Sequence, residues 1–111
     1  MKRYEVATLT VPIGTIARAL PLIKGYVTHA SAGGRLLGCW TAEIGALNRI
    51  RVLRGFADEP DLMRERERAL QGGNAFGIAD FVTAMTLDAY APFPFLPPIA
   101  CGNFEIGRAH V

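Results

Sequence analysis

The chain lacks what most functional classes need. It has two cysteines in 111 residues, Cys39 and Cys101. Two cannot make a disulfide scaffold, and their separation fits no zinc motif. They read as reduced, small hydrophobes. Its two histidines, His29 and His110, have no convergent ligand spacing, so no metal site is expected. No Gly-rich loop ends in Lys-Ser or Lys-Thr, which leaves nucleotide chemistry without its phosphate cradle. No apolar run is long enough to span a bilayer. Neither sign of charge dominates, since 12 basic against 10 acidic residues give a net +2. A nucleic-acid surface needs clustered Lys and Arg, so no nucleic-acid partner is expected. Nor is there a basic amphipathic helix to lie on a membrane. The opening Met1-Lys2-Arg3-Tyr4-Glu5 meets an acid at once and runs into no apolar signal core. The expectation is a cytoplasmic protein with no cofactor and no membrane partner.

What the chain does have is apolar residues, at 50%. That is much for one domain of this length. The excess points to a subunit interface. The expected organisation is a single domain, 1–111, in which 91–111 is a Pro-rich arm followed by a tail strand.

Taken in order, Tyr4 to Val11 reads as a strand, rich in residues that suit a pleated surface. One face is Tyr4, Val6, Thr8 and Thr10. The other is Glu5, Ala7, Leu9 and Val11. Thr15 can cap a helix to about His29, with a stripe of Ile16, Ala17, Leu20, Ile23 and Val27. Pro21 inside it predicts a kink or restart. Arg35 to Glu43 and Asn48 to Phe56 form a hairpin around the Gly45 turn. In its second strand, Ile50, Val52, Arg54 and Phe56 share a face. Asp58 caps a second helix with Pro60 in its first turn. Leu62, Met63, Arg66, Ala69 and Leu70 form a thin inner stripe, and Gly72-Gly73-Asn74 ends it. Its alternating Arg and Glu read as a solvated face. Phe81 to Tyr90 mixes strand formers with residues that tolerate a helix, and is read as a strand. Pro92, Pro94, Pro97 and Pro98 impose an irregular arm. Asn103 to His110 closes the chain as an edge strand.

The order β-α-β-β-α-β predicts an α+β fold. It is the ferredoxin-like antiparallel sheet with two helices on one face, here with an extra C-terminal edge strand. Neither face of the strands is cleanly polar, which leaves the uncovered side of the sheet short of polar groups. The simplest cover is a second copy packed sheet to sheet, so the expectation is a homodimer in the form of a dimeric α+β barrel.

The hairpin carries a further pattern. Gly38, Trp40, Thr41, Glu43, Gly45, Leu47, Asn48, Leu53, Phe56 and Asp58, with the opening Tyr4-Glu5-Val6, make the chain resemble the NIPSNAP family. The resemblance implies the dimeric α+β barrel and no established activity. Two places depart from it. Ala7 and Leu9 stand where the family usually has Arg and an aromatic. Val52 and Arg54 stand where it often offers His and Trp.

The polar candidates for a pocket are Tyr4, His29, Trp40, Glu43 and Arg54. Trp40 walls a pocket or fills a dimer core. Glu43 precedes the turn, where it binds backbone or an Arg more readily than it serves as a base. Arg54 lies among apolar neighbours, which calls for a carboxylate partner or an acidic ligand on its fork. His29 lies near a helix end, where a cation meets the negative end of the macrodipole. Two function classes follow. One is a homodimeric module, structural or binding a small apolar or acidic ligand, without established catalysis. The other is a small cofactor-independent oxygenase or isomerase working in an apolar cavity. The enzyme requires Tyr4, His29, Trp40 and Arg54 to meet in one place.

Overall fold

The computed structural model describes residues 1–42, 45 and 47–92. The expected tail strand, most of the Pro-rich arm, Glu43 and Cys101 lie outside them. The element order is β1 (Arg3–Thr10), α1 (Ile16–Val27), β2 (Arg35–Thr41), β3 (Arg49–Phe56), α2 (Glu59–Gly72), a 3-10 turn (Ala75–Gly77) and β4 (Ala84–Tyr90). The four strands form one sheet in the order β2-β3-β1-β4, with every neighbour antiparallel. This is the ferredoxin-like α+β arrangement.

The alternation of β1 and β3 sets the core. Ala7 opposes Val52 and Leu9 opposes Ile50, so these apolar side chains share the helix-facing side. They pack with Val11, with Ala19, Ile23 and Val27 of α1, and with Phe76 and Ile78. The buried stripe of α1 is therefore turned from the expected one, since Ala17 and Leu20 are exposed. Thr15 precedes the helix but does not cap it; its hydroxyl donates to the Pro12 carbonyl at 2.6 Å. α1 runs through Pro21 without the expected restart. Pro21 and Ala17 are both exposed, so the carbonyl that proline leaves without a donor can reach water.

α2 starts as its sequence requires. The Asp58 carboxylate accepts from the Asp61 N–H at 2.9 Å, and Gly73 closes the helix at φ 65°. Its inner face differs from the expected stripe. Leu62 and Glu65 are buried, whereas Met63 and Leu70 are exposed. Between α1 and β2, Gly34 takes φ +71°, and a Cβ there would meet the Phe56 ring at 2.5 Å. Only glycine fits that approach.

β2 does not alternate evenly. Its register slips between Leu36 and Gly38, a β-bulge. Leu36, Cys39 and Thr41 thereby oppose Arg54, Val52 and Ile50. Strict alternation would put Leu37 on one face with Cys39, and the bulge breaks that grouping. Cys39 is a free thiol, and desolvation pushes it up, away from the reactive thiolate.

The other face of the sheet turns away from both helices. Tyr4, Val6, Leu53, Trp40 and Tyr90 point there by register. Trp40 is 46% exposed and Tyr90 54%. No helix among the described residues is long and apolar enough to cross a membrane.

Candidate functional site: a buried arginine between two carboxylates

Arg54 lies on the helix-facing side of β3, one residue pair from Val52 and Phe56. The register opposes it to Glu5 on β1. α2 then lays Glu65 over it. Arg54 is 3% exposed, Glu5 0% and Glu65 2%. Charges so deep cost several kcal/mol each unless they are paired, and the pairing here is extensive. Arg54 donates through Nη2 to Glu5 Oε1 at 2.6 Å and through Nη1 to Glu65 Oε2. Arg68, one turn along α2, grips Glu65 with two donors, Nε to Oε1 at 2.8 Å and Nη2 to Oε2 at 2.9 Å. The Gly33 N–H adds a third contact to Oε1 at 3.0 Å.

Aromatic rings floor the cluster. The Arg54 guanidinium lies 4.9 Å from the Phe76 ring centre and 5.3 Å from that of Phe56. Arg68 lies 3.9 Å over Tyr26, and Tyr26 and Phe76 are 5.5 Å apart. Phe76 holds φ +56°, a left-handed conformation that costs a bulky residue about 1–3 kcal/mol. Burial of its ring and the Asn74 carbonyl accepting from Gly77 N–H at 2.9 Å hold it there. Strain of this kind gathers at sites.

Satisfaction is incomplete. Among the described residues, four buried polar atoms have no hydrogen-bond partner: Glu5 Oε2, Arg54 Nε, Arg66 Nε and the Tyr26 hydroxyl. Glu5 Oε2 and Arg66 Nε stand 3.6 Å apart, within ion-pair range but too long for a hydrogen bond. Burial pushes the Tyr26 phenol up, with Arg68 pulling the other way. It stays protonated at neutral pH and is a donor.

Burial also raises Glu65, but the bonds from Arg68, the Gly33 N–H and Arg54 outweigh it and hold its carboxyl below the ordinary range. A carboxyl lowered by folding stabilises the fold above its unfolded pKa. That contribution is lost as pH falls through the folded value. Urea unfolding should therefore give steady stability from pH 7 to 5 and a decline below about pH 4. A stability unchanged down to pH 3 would show that Glu65 is not held ionised.

The sequence-derived candidates do not meet. Tyr4 and Trp40 face away from the helices, on the side of the sheet opposite Arg54. His29 is exposed beyond the end of α1, where the Ser31 N–H donates to its Nδ1 at 3.1 Å. It orders a turn. Glu43 lies outside the described residues. Of the five, Arg54 alone sits in the cluster. Sequence reasoning missed Glu5, Tyr26, Glu65, Arg68 and Phe76. One signal was legible: Glu5 shares its strand face with Ala7, Leu9 and Val11. Among the described residues no group of three His, Cys, Asp or Glu could hold a metal ion.

The sequence model of the NIPSNAP family matches residues 4–97. The chain belongs to the NIPSNAP family. Solved NIPSNAP structures share its fold. An uncharacterized NIPSNAP domain protein from Burkholderia xenovorans is 22% identical, with a TM-score of 0.67 over 86% of this chain and 99% of that one. A NIPSNAP family protein of unknown function from Agrobacterium tumefaciens is 24% identical, with a TM-score of 0.66 over 86% and 92%. A putative antibiotic biosynthesis monooxygenase from Chloroflexus aurantiacus is 11% identical, with a TM-score of 0.61 over 92% and 100%. At these identities the likeness is one of fold. No functionally curated protein matches the chain. The NIPSNAP neighbours are uncharacterized or of unknown function, so no catalytic function is established for this site.

Proposed function

We propose that this NIPSNAP protein is a homodimeric module that binds a small ligand between sheet and helices, without turnover of its own. The observation that carries the reading is the Arg54 cluster with its four unpartnered buried atoms. A purely structural ion-pair network gains by satisfying every member, because a half-satisfied one is worse than an apolar core. Here the donors and the acceptor are left at the place where helices meet sheet. The homodimer half of the reading draws support from the outer sheet face, where Val6, Leu53, Trp40 and Tyr90 want an apolar cover. A cytoplasmic location suits the free Cys39 thiol, which persists in a reducing compartment.

The enzyme reading, an oxygenase or isomerase, has the fold of the Chloroflexus protein on its side. Fold alone does not carry chemistry. The residues it needs lie on opposite sides of the sheet, and Glu65 is tied up by donors rather than poised as a base.

Native mass spectrometry of gently purified protein tests the module. The expected result is a dimer carrying a small non-covalent mass. A monomer would sink the sheet-to-sheet assembly. A dimer with no added mass, even after incubation with small-metabolite extracts, would sink the binding role.

A further inference from the structure

The two flanks of α2 differ. On the side toward α1, Arg68 donates through Nη2 to the Tyr26 carbonyl at 3.1 Å. On the other side, Arg66 reaches down to Glu5 of β1, its Nε 3.6 Å from Oε2. Met63 and Leu70 stand one helical turn before and after Arg66, so they share that flank. Neither is covered, since Met63 is 45% exposed and Leu70 83%. The strand beyond β1 on this side is β4. Its Ala89 opposes Glu5 and its Leu87 opposes Ala7, so both face the helix layer beside Arg66. Ala89 is exposed and Leu87 only half-buried. An apolar ledge therefore lies between α2 and the edge of the sheet, walled by Met63 and Leu70 and floored by Leu87 and Ala89.

The edge itself is open as well. Among the described residues β4 pairs with β1 alone, and a free strand edge is ordinarily covered or blocked. β4 stops at the end of the sheet where α2 begins: Arg3, next to the Tyr4 that opposes Tyr90, lies 3.7 Å from Glu59. The chain leaves β4 at that place and continues through 93–111. This segment carries Phe93, Phe95, Leu96, Ile99, Phe104 and Ile106 against a single acid, Glu105. The family match ends at residue 97, so most of the segment lies beyond the family pattern. Residues 93–102 are ample for a reversal, which takes about 2–5 residues in a hairpin. The expected strand 103–110 would then run back along β4, which is 7 residues long, in the same direction as α2.

We propose that residues 93–111 dock on their own subunit, adding 103–110 as a fifth strand on the open edge of β4 and laying Phe104 and Ile106 against Met63 and Leu70. Phe104 and Ile106 are two positions apart, so a strand presents both on one face. The free edge supplies main-chain hydrogen bonds, and the apolar ledge decides which face of the added strand turns inward. Arg66 lies between Met63 and Leu70 and keeps its charged end at the rim. The outer face of the sheet stays free for a second copy. The docking stands whether or not the Arg54 cluster holds a ligand.

Cys101 lies in the segment and carries the probe. The exposed Cys39 thiol is removed by Cys39→Ser, and a nitroxide is attached to Cys101 of the full chain. The nitroxide broadens the NMR signals of groups close to it. Methyl signals of Met63, Leu70 and Leu87 should broaden. Those of Leu20 and Leu22 on α1, apolar and also exposed, should stay sharp. The double variant Met63→Gln/Leu70→Gln alters only exposed positions and should keep the circular dichroism of the parent. It should lose the broadening at Leu87. Chymotrypsin should cut it after Phe104 at least roughly tenfold faster, because two apolar side chains no longer hold the segment. Sharp Met63 and Leu70 methyls would overturn the proposal. So would equal broadening at Leu20 and Leu22, which would make the segment a non-specific apolar tail, or an unchanged cleavage rate in the double variant. A mixture of spin-labelled chains with isotope-labelled chains that lack the nitroxide addresses the other occupant. No broadening is expected there; broadening of Met63 and Leu70 in that sample would give the ledge to a partner subunit's tail and overturn docking on the same chain.

Discussion

Arg54→Met should cost the fold about 3–5 kcal/mol, the range for removing one partner of a buried ion pair. The substitution keeps much of the side chain's apolar bulk against Phe56 and Phe76, whose rings flank the guanidinium. What it removes is the only hydrogen-bond donor to Glu5 Oε1 among the described residues. Glu5 would then be fully buried with no hydrogen bond at either oxygen, and only Arg66 at 3.6 Å to answer its charge. Glu65 would fare better, because Arg68 and the Gly33 N–H stay on it. The loss is thus concentrated on β1. A control separates lost packing from stranded charge. Arg54→Met combined with Glu5→Leu removes the charge together with its partner and should recover most of the stability, as buried pairs replaced by apolar residues often do. Urea titrations of the single and double variants measure both. If the double variant is no more stable than R54M, Arg54 acts through its packing, and the charge cluster is not what the fold depends on.

That outcome bears on how far the sequence could be read. Local pattern carried the fold. Alternation put Ile50, Val52, Arg54 and Phe56 on one side of β3, and all four are buried. The Asp58 cap and the Gly73 stop bounded α2. The cluster was less legible, because it is assembled from pairs remote in sequence. Glu5 and Arg54 are 49 positions apart, and they meet only through a strand register that no local signal sets. The alternating Arg and Glu of α2 resemble a solvated face at every position. Glu65 is buried because the Arg54 guanidinium lies beneath it, a fact of tertiary packing. The bulge in β2 escaped for a related reason. One extra residue reverses the faces downstream of it, and nothing in Leu36-Leu37-Gly38 marks its place. Tyr4 and Trp40 have the chemistry of pocket residues, and Trp40 equally suits a dimer core. Register places both on the outer face, where an apolar cover is wanted and a polar site is not.

Leu53→Glu addresses that outer face. Leu53 sits near its middle, opposite Val6 on β1 and Gly38 on β2, and its side chain is half-buried. If a second copy packs on this side, a two-fold axis brings the same surface from both subunits together. Each Leu53 is then covered by apolar groups of the partner, and each glutamate would be buried with only Arg51, two positions along the same face of β3, as a cation on its own strand. An unpaired charge at such a place costs at least about 3 kcal/mol, which raises the dimer dissociation constant at least roughly 100-fold. Size-exclusion chromatography with light scattering, run at micromolar concentration, should show L53E as a monomer beside a dimeric parent. Its helix content should be unchanged, because both helices pack on the opposite side. An L53E protein that remains dimeric would place the subunit interface elsewhere, and Trp40 and Tyr90 would then need another partner to cover them.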